Sequence, residues 1–519
     1  MEARVAADQV PGARAGERAL VLVGFMGAGK STAARTAAAE LGVEAVDSDR
    51  ELERRLGEPI QSFFEREGEA AFRAREEEVV LELLAGARGA VVALGGGSVQ
   101  SEAVRDALRV HTVVQLEVDP VDAWRRASGG GRPLARDQGR FEQLHRDRQP
   151  VYAAVADAVL PPGGRDAIRA ALPALMALAE APEGTRLVWA GSASGAYPVF
   201  FGHGLIASGF AYPAEGRRFV VTDSNVARHH PVDGQERMAI EPGEERKTLA
   251  AAEDVLRWLA RSGAERGDLV VAVGGGVVGD LAGFCAAVYQ RGMRHVQVPT
   301  TLVAQVDSAY GGKTGVDLPE GKNYAGAYHQ PAAVLCDPAA LATLEPAELA
   351  AGHVEVVKTA LIAGGPLWAR VRQGGEPDLD TIMGCARTKL AVVAEDERDA
   401  GRRQVLNLGH TVGHAIESAT SYARYRHGEA VGIGLLAALR LSGRDALRTE
   451  VSELLAARGL PLTFEGASVD DVIALVERDK KRAGGRVPFV LVEAPGEVTP
   501  GHHVDADQLR AAVEEVHGG

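Results

Sequence analysis

The chain has 519 residues, too many for one ordinary domain, so two to four are expected. Apolar residues make up 46% and charged residues 25%, the balance of a folded globular protein, while a net charge of −14 excludes the basic surface that non-specific nucleic-acid binding needs. Three widely spaced cysteines (Cys285, Cys336 and Cys385) exclude a disulfide framework or a cysteine zinc site, and no apolar run is long enough to span a bilayer.

The opening "MEARVAADQVPGARAGER" is polar and lacks the apolar stretch of a signal peptide, so residues 1–16 are expected to be disordered and the protein cytoplasmic. "RALVLVGF" (18–25) predicts a buried strand that runs into "MGAGKST" and an Ala-rich helix. "GFMGAGKS", from Gly24 to Ser31, has the spacing G-x-x-x-x-G-K-[ST] in the strand–loop–helix setting where backbone N–H groups wrap phosphates. Lys30 is then expected to reach the β- and γ-phosphates and Ser31 to hold Mg²⁺. After "GVEAV", a strand end, comes "DSD", which places Asp47 and Asp49 over the phosphate site. One of them suits Mg²⁺-bound water and the other a base for a substrate hydroxyl; a solvated acid pair is the competing reading.

A long charged helix around 65–85 carries Arg73 in "GEAAFR", and the strand "AVVALGGG" (90–97) ends in Gly95, Gly96 and Gly97, where backbone can approach a ligand closely. "GGGRPL" (129–134) reads as a glycine-hinged lid bearing Arg132, and Arg148 follows in "RQPVY". Two arginines and an acid suit a small substrate with a carboxylate and hydroxyls. The strand–helix alternation continues to about residue 175 and predicts a three-layer α/β domain.

In "GFMGAGKST", "DSD", "IQSFFEREGEAAFRAREEEV", "ALGGGSV", "RPL" and "RQPVY" the sequence resembles shikimate kinase, over roughly 17–175. The resemblance implies a P-loop kinase domain at 17–176 that phosphorylates shikimate with ATP and Mg²⁺. It places ATP against Gly27, Ala28, Gly29, Lys30, Ser31, Thr32, Arg126 and Arg132, and Mg²⁺ on Ser31 and Asp47. It places shikimate on Asp49, Arg73, Gly95, Gly96, Gly97 and Arg148, with Lys30, Asp49 and Arg132 as the catalytic groups.

"EAPEGTRLVWAGSASGAYPV" (180–199) mixes Pro, Gly and Ser, which suggests a linker, set at 177–190. A second α/β alternation, expected over 191–337, begins with "RRFVVTDSN" (217–225) and "GDLVVAVGGGVVGD" (267–280). "PTTLVAQVDSAYGGKTGVD" (299–317) puts Thr300 and Thr301 near a strand end and Asp307 and Lys313 in the following loop. From about 338 to 519 the pattern turns mostly helical.

Only eight of the 57 basic residues are lysine: Lys30, Lys247, Lys313, Lys322, Lys358, Lys389, Lys480 and Lys481. Arginine cannot imitate the compact ammonium at a phosphate or proton-transfer site, so the surviving lysines mark candidate chemistry. All eight fall in candidate motifs, among them "GEERK", "KN" (Lys322, Asn323), "GHVEVVK" (Glu355, Lys358) and "RDKKRAGG". The stretch "RTKLAVVAEDERDAGRRQVLNLGHT" adds Lys389, Arg403 and Asn407.

In "LNLGHTVGHAIE" (406–417) His410 and His414 stand four apart, one helical turn, and so share a face. A catalytic zinc site wants three N and O ligands and an open position. Glu355, His410 and His427 ("RHGEAV") supply that set from three helical segments and leave His414 for substrate; a helix-cap role is the competing reading for His427.

These residues resemble 3-dehydroquinate synthase, over roughly 187–519. The resemblance implies a Rossmann-like NAD⁺-binding α/β half, a helical half, zinc (or cobalt) between them, and 3-deoxy-arabino-heptulosonate 7-phosphate as substrate. By motif, NAD⁺ would meet Asp223, Asn225, Glu244, Lys247, Gly275, Gly276, Asp280, Thr300, Thr301, Asp307, Lys313 and Lys322. Zinc would take Glu355, His410 and His427. The substrate would meet Asp307, Lys313, Asn323, Lys358, Lys389, Arg403, Asn407, His414 and Lys481, with Lys480 the alternative to Lys481. Lys313, Lys358, Arg403, Asn407 and His414 would be catalytic. The chain departs from the family at Asp399, where Glu is usual, at Ala309 and Tyr310, and at Asp317, where Asn is common.

Together the resemblances imply a bifunctional enzyme of aromatic biosynthesis, a kinase joined to a lyase, acting on small molecules and dimeric through its synthase half. No nucleic-acid or membrane partner is expected. The competing readings are a related sugar-phosphate cyclase, a polyol dehydrogenase that releases NADH, and a non-catalytic nucleotide sensor.

Overall fold

A computed structural model describes residues 18–128, 137–232, 234, 236–482 and 488–518, with the backbone alone for 479–482. Residues 1–16, Arg132 and the side chains of Lys480 and Lys481 therefore lie outside the described part. The chain divides into two units, Met1–Trp189 and Ala190–Gly519.

In the first unit, short runs form a wholly parallel sheet whose central strands are apolar and buried on both faces. Its strands are β1 (Leu20–Val23), β2 (Ala45–Asp47), β3 (Val91–Ala93), β4 (Thr112–Leu116), β5 (Ala158–Leu160) and β6 (Arg186–Ser192), in the order β2-β3-β1-β4-β5-β6. Leu22 pairs with both Ala93 and Val114, which fixes the register at the centre. The helices are α1 (Lys30–Leu41), α2 (Ser48–Leu56), α3 (Ile60–Gly86), α4 (Glu102–Leu108), α5 (Pro120–Ala127), α6 (Gln138–Val155) and α7 (Gly164–Leu178). The charged helix expected at 65–85 starts earlier and is broken at Gly68, whose φ of +83° only glycine adopts cheaply.

The expected linker at 177–190 needs correction. Arg186–Ala190 belong to β6, with Leu187, Val188, Trp189 and Ala190 buried and β5 alongside. Of the Pro and Gly that suggested a linker, Pro182 and Gly184 occupy the turn before the strand while Gly191, Gly195 and Pro198 lie within strands, and the apolar "LVWA" fits a buried strand.

The second unit opens with β7 (Gly195–Phe201), β8 (Arg218–Asp223), α8 (Val226–His229), β9 (Glu236–Ile240), α9 (Leu249–Arg261), β10 (Leu269–Gly274), α10 (Gly276–Val288) and β11 (Arg294–Pro299). The hairpin β12 (Lys313–Leu318) and β13 (Gly321–Tyr328) and the strand β14 (Ala333–Cys336) follow. The parallel sheet runs β7-β14-β11-β10-β8-β9. Cys285 packs with Val255, Leu259 and Leu281 as an ordinary apolar core residue.

Next come α11 (Pro346–Ala363), α12 (Gly365–Val371), α13 (Leu379–Glu395), α14 (His410–Ala419), α15 (His427–Leu441), α16 (Asp445–Ala456) and α17 (Val469–Arg482). The helical expectation omitted a hairpin, β15 (Phe489–Ala494) and β16 (Glu497–His502), which turns at Gly496 with φ +94° before α18 (Ala506–Glu514). Every residue of α11 from Ala351 to Ile362 is buried, Glu355 and Lys358 included.

Small residues let three of these helices touch backbone to backbone. A Cβ on Gly434 would lie 2.1 Å from the Gly409 carbonyl oxygen, and one on Gly428 would lie 2.0 Å from that of Ala351. This close approach brings the N-termini of α14 and α15 against the middle of α11. Among the described residues no helix is long and apolar enough to cross a membrane.

Candidate active sites

In the first unit the turn after β1 needs glycine. Gly27 and Gly29 have φ of +84° and +86°, and a Cβ on Gly24 would lie 2.5 Å from the Leu116 carbonyl oxygen. Lys30 folds back over this loop and donates to the carbonyls of Gly24 (2.8 Å) and Phe25 (3.1 Å). Arg126 donates to the Gly27 carbonyl at 3.0 Å, so it too lies against the loop. The N-terminus of α1 has no side-chain cap, the setting in which helix N–H groups meet phosphates. Ser31 and Asp47 line one recess of about 260 Å³ beside Arg35 and Arg50. Asp47 also caps α2, accepting from the N–H groups of Asp49 and Arg50, which fixes the carboxylate.

The glycines after β3 gather the remaining candidates. A Cβ on Gly95 would lie 2.6 Å from Asp49 Oδ1 and 2.6 Å from Glu76 Oε1, and one on Gly97 would lie 2.1 Å from the Arg73 guanidinium. Arg148 and Tyr152 both donate to the Gly96 carbonyl, at 3.2 and 2.5 Å. Glu76 escaped the sequence reading. It is buried, pairs with Arg73 at 2.6 Å and accepts from Ser98 Oγ, so it fixes the direction of that guanidinium. Its place one turn beyond Arg73 was the available signal.

In the second unit the dinucleotide candidates Asp223, Gly275, Gly276, Thr300 and Thr301 lie at the C-terminal ends of β8, β10 and β11, where α/β sheets bind ligands, while Glu244 and Lys247 follow β9 and Lys313 and Lys322 belong to the hairpin. Asp223 ends β8 and accepts from the N–H groups of Asn225 and Val226. Lys247, 3% exposed, lies 2.8 Å from Glu244, 3.4 Å from Asp280 and 3.8 Å from Asp317. Burial pushes the Asp280 carboxyl up to about 6, against the pull of Lys247. Gly275 stands uncapped before α10, and a Cβ there would lie 2.8 Å from the Thr301 side chain. Thr300 Oγ1 is buried without a hydrogen-bond partner. An orphaned hydroxyl beside an uncapped helix N-terminus fits a bound dinucleotide.

The three helices joined through glycine form the metal candidate. Glu355 Oε1 lies 3.8 Å from His410 Nε2 and 3.9 Å from His427 Nε2, and it has no hydrogen-bond donor although buried. His410 Nδ1 donates to the Leu408 carbonyl at 3.2 Å and His427 Nδ1 to the Glu417 carboxylate at 3.4 Å. Both imidazoles thus keep Nε2 for an ion. Burial, with the Lys358 ammonium beside it, holds His410 well below the usual imidazole range, in the neutral form a ligand needs. Ligands about 2.0–2.1 Å from a tetrahedral ion stand about 3.4 Å apart, close to the spacing seen, so this set fits zinc or cobalt. Nitrogen atoms of His410, His414 and His427 also lie within 4.8 Å of one another, with His414 on the exposed side.

Lys358, fully buried, lies 2.5 Å from Glu355 Oε2, and Lys389 lies 2.8 Å from Asp307 Oδ1 and donates to the Asp307 carbonyl. Burial opposes the charge on Asp307, but Lys389 and Lys358 outweigh it and hold the carboxyl below its usual range. Asn323 and Asn407 are exposed, and Asn323 takes a left-handed φ of +58° in the hairpin. Lys313 pairs with Asp399 at 2.5 Å. The shorter acid reaches it from a backbone φ of +62°, a conformation Asp tolerates better than most residues. Tyr310 turns into the core and donates to the Gln305 carbonyl, so that departure is absorbed by packing.

Arg403, expected against the substrate, turns into the core. Its guanidinium is 1% exposed and donates to the carbonyls of Glu397 and Gly311, so here it braces backbone instead of facing a phosphate. A side chain that long can be swallowed by the core when carbonyls are there to receive it, which spacing does not reveal. Glu417 also escaped the sequence reading. It lies seven residues beyond His410 on the same helix stripe, and that spacing could have revealed it.

Comparison with known proteins agrees with this division. Residues 26–174 match the shikimate kinase family model, and residues 237–351 and 352–482 match those of the 3-dehydroquinate synthase N- and C-terminal parts. A 3-dehydroquinate synthase of Caulobacter vibrioides is 42% identical over 366 residues, covering 64% of this chain and 98% of the relative. A 2-deoxy-scyllo-inosose synthase complexed with carbaglucose-6-phosphate, NAD⁺ and Co²⁺ superposes with a TM-score of 0.57 at 25% identity, covering 64% of this chain and all of that one. A 2-epi-5-epi-valiolone synthase from Streptomyces hygroscopicus with NAD⁺ and Zn²⁺ bound gives 0.56 at 25%, covering 62% and 96%.

Proposed function

Because the chain belongs to the 3-dehydroquinate synthase family and carries a shikimate kinase domain ahead of that part, we propose that it is a bifunctional enzyme of the shikimate pathway. One activity phosphorylates shikimate with ATP. The other converts 3-deoxy-arabino-heptulosonate 7-phosphate to 3-dehydroquinate and releases phosphate.

In the kinase part the backbone of Gly27 to Thr32 cradles the ATP phosphates at the start of α1. Lys30 leaves the carbonyls of Gly24 and Phe25 for the transferring phosphoryl group, and Ser31 and Asp47 hold Mg²⁺. Arg73 and Arg148 meet the substrate carboxylate, while Asp49 accepts the proton of the attacking hydroxyl. Arg126 lies on the nucleotide side of the loop, and Arg132 joins this set on its motif alone.

In the synthase part Glu355, His410 and His427 hold the ion, and NAD⁺ lies along Asp223, Lys247, Gly275 and Thr300. When bound, NAD⁺ takes a hydride from the substrate and returns it, and zinc or cobalt polarises the hydroxyl being oxidised. Lys358 and Lys389, buried against carboxylates, keep positive charge at the site without bulk water. Lys313, Asn323 and Asn407 meet the phosphate and hydroxyls, and His414, one turn from His410, handles a proton. Lys481 belongs to the set by its motif, and so does Arg403, whose Nε is buried without a hydrogen-bond partner. A homodimer through this half and a cytoplasmic location complete the proposal on the strength of the family.

The observation that carries the reading is Glu355 Oε1, orphaned and facing both Nε2 atoms, beside two buried lysines. The test is phosphate release from the heptulosonate phosphate with catalytic NAD⁺ and zinc, run beside ATP consumption with shikimate. Net NADH accumulation without phosphate release would overturn the synthase assignment in favour of a dehydrogenase.

A further inference from the structure

Glu417 is 2% exposed, and no lysine or arginine of its own helix pairs with it. Its two oxygens serve two different elements. Oε2 accepts from His427 Nδ1 at 3.4 Å, and Oε1 faces Lys322 Nζ at 3.3 Å. His427 begins α15 and turns its other nitrogen toward Glu355, while Lys322 sits on the hairpin strand β13 among the dinucleotide candidates.

A second feature holds the same lysine. Ser421 and Tyr422, successive non-glycine residues in the loop between α14 and α15, both have φ of +56°. Left-handed backbone is costly for residues that carry a side chain, so the surrounding structure must fix the loop in this form. Its result is that the Tyr422 ring lies 4.6 Å from Lys322 Nζ, with the Tyr422 hydroxyl hydrogen-bonded to Ser418 Oγ. The ammonium is therefore clasped between a ring and a carboxylate.

We propose that Glu417 is a positioning residue whose two oxygens tie the metal ligand His427 to the hairpin lysine Lys322, so that ion binding and dinucleotide binding strengthen one another. The inference rests on the site assignment above. An ion on Nε2 draws electron density from the imidazole and strengthens the Nδ1–H···Glu417 bond, which fixes the carboxylate. A fixed carboxylate holds Lys322, and the hairpin that carries it, in the orientation that meets the dinucleotide. By linkage the effect is reciprocal. An amide at 417 cannot serve both partners, because turning its oxygen to one turns its NH₂ toward the other donor.

The test measures Zn²⁺ affinity by chelator competition, with and without NAD⁺, and NAD⁺ affinity by calorimetry, with and without Zn²⁺, on the full chain. Wild type should bind each partner more tightly in the presence of the other. Glu417→Gln should weaken Zn²⁺ binding about 10–100-fold and abolish the mutual enhancement, and Lys322→Met should abolish the enhancement while leaving Zn²⁺ affinity alone within threefold. Glu417→Asp, which keeps the charge, should restore part of both, and its circular dichroism and thermal melt without metal show whether the fold survives. Unchanged Zn²⁺ affinity in Glu417→Gln, or full enhancement in Lys322→Met, would overturn the inference while leaving the site assignment standing. Wild type that bound neither Zn²⁺ nor NAD⁺ would overturn both.

Discussion

Gly434 lies seven residues beyond His427 and never approaches the proposed ion, yet Gly434→Ala should cost the synthase its metal. The added methyl would stand 2.1 Å from the Gly409 carbonyl oxygen and 2.6 Å from the Gly413 nitrogen, where real Cβ atoms stay beyond 3.0 Å. Both clashes are with backbone, so α15 must retreat from α14 by about 0.9 Å, the difference between 2.1 and 3.0 Å. Overpacking of this kind costs about 1–3 kcal/mol. His410 follows Gly409 directly and His427 starts α15, so the retreat spreads the two imidazoles that now lie 3.8 and 3.9 Å from Glu355. Bonds to zinc are set at about 2.0–2.1 Å and cannot stretch to follow. Zinc affinity, read by chelator competition, should fall at least tenfold, about 1.4 kcal/mol. The metal-free melt of the synthase half should drop by roughly 2–4 °C for each kcal/mol lost, with ATP consumption unchanged as the internal control. Wild-type zinc affinity with an unshifted melt would refute the view that close helix packing sets the ligand spacing.

Lys30→Ala should abolish shikimate-dependent ATP consumption and leave phosphate release intact, and His410→Ala should do the reverse with loss of bound metal; loss of both activities in either variant would show that the two parts do not fold independently. Glu76→Gln should raise the shikimate KM roughly tenfold or more, because Arg73 loses a charge-assisted partner worth about 1.5–3 kcal/mol, while the ATP KM holds; an unmoved shikimate KM would mean that Arg73 is held some other way. His295, buried with Nδ1 unpartnered and stacked on His329, has its pKa pushed down to about 3 by burial and that neighbour. The folded chain keeps it neutral while the unfolded chain protonates below about 6.5, so stability present above that pH is lost toward pH 3 at about 1.4 kcal/mol per unit. In urea unfolding of the synthase half, His295→Leu should therefore lose about 2 kcal/mol less than wild type between pH 7 and pH 5; equal losses would refute the assignment.

Some chemistry is legible without coordinates because it is written within a few consecutive residues. The phosphate loop is such a case, since a strand, a glycine turn and an N-terminal Lys-Ser pair dictate their own conformation. The His410–His414 spacing is another, because one helical turn fixes which side chains share a face. Lysine scarcity is a third kind of signal. Among the lysines whose side chains are described, Lys247, Lys358 and Lys389 are buried against carboxylates, where a generic surface charge has no reason to be.

Local patterns misled where the same residues serve two ends. "EAPEGTRLVWA" carries the punctuation of a linker and the apolar run of a strand, and the run prevails because a neighbouring strand is there to bury it. The hairpin at 489–502 escaped because its alternation is short and lies among helices.

Composition, turn glycines and helical spacing by themselves determined the two α/β parts and the phosphate cradle, while the family resemblances supplied most of the groups proposed for each site. Only the tertiary structure decided which groups meet. Glu355, His410 and His427 come from three helices 55 and 17 residues apart in the chain, and they converge because Gly409, Gly428 and Gly434 let backbones touch. The same packing joins Glu417 to Lys322 and buries the guanidinium of Arg403 against carbonyls. Residue spacing encodes a conformation within one element, but contact between elements depends on the shapes of all the surfaces pressed together.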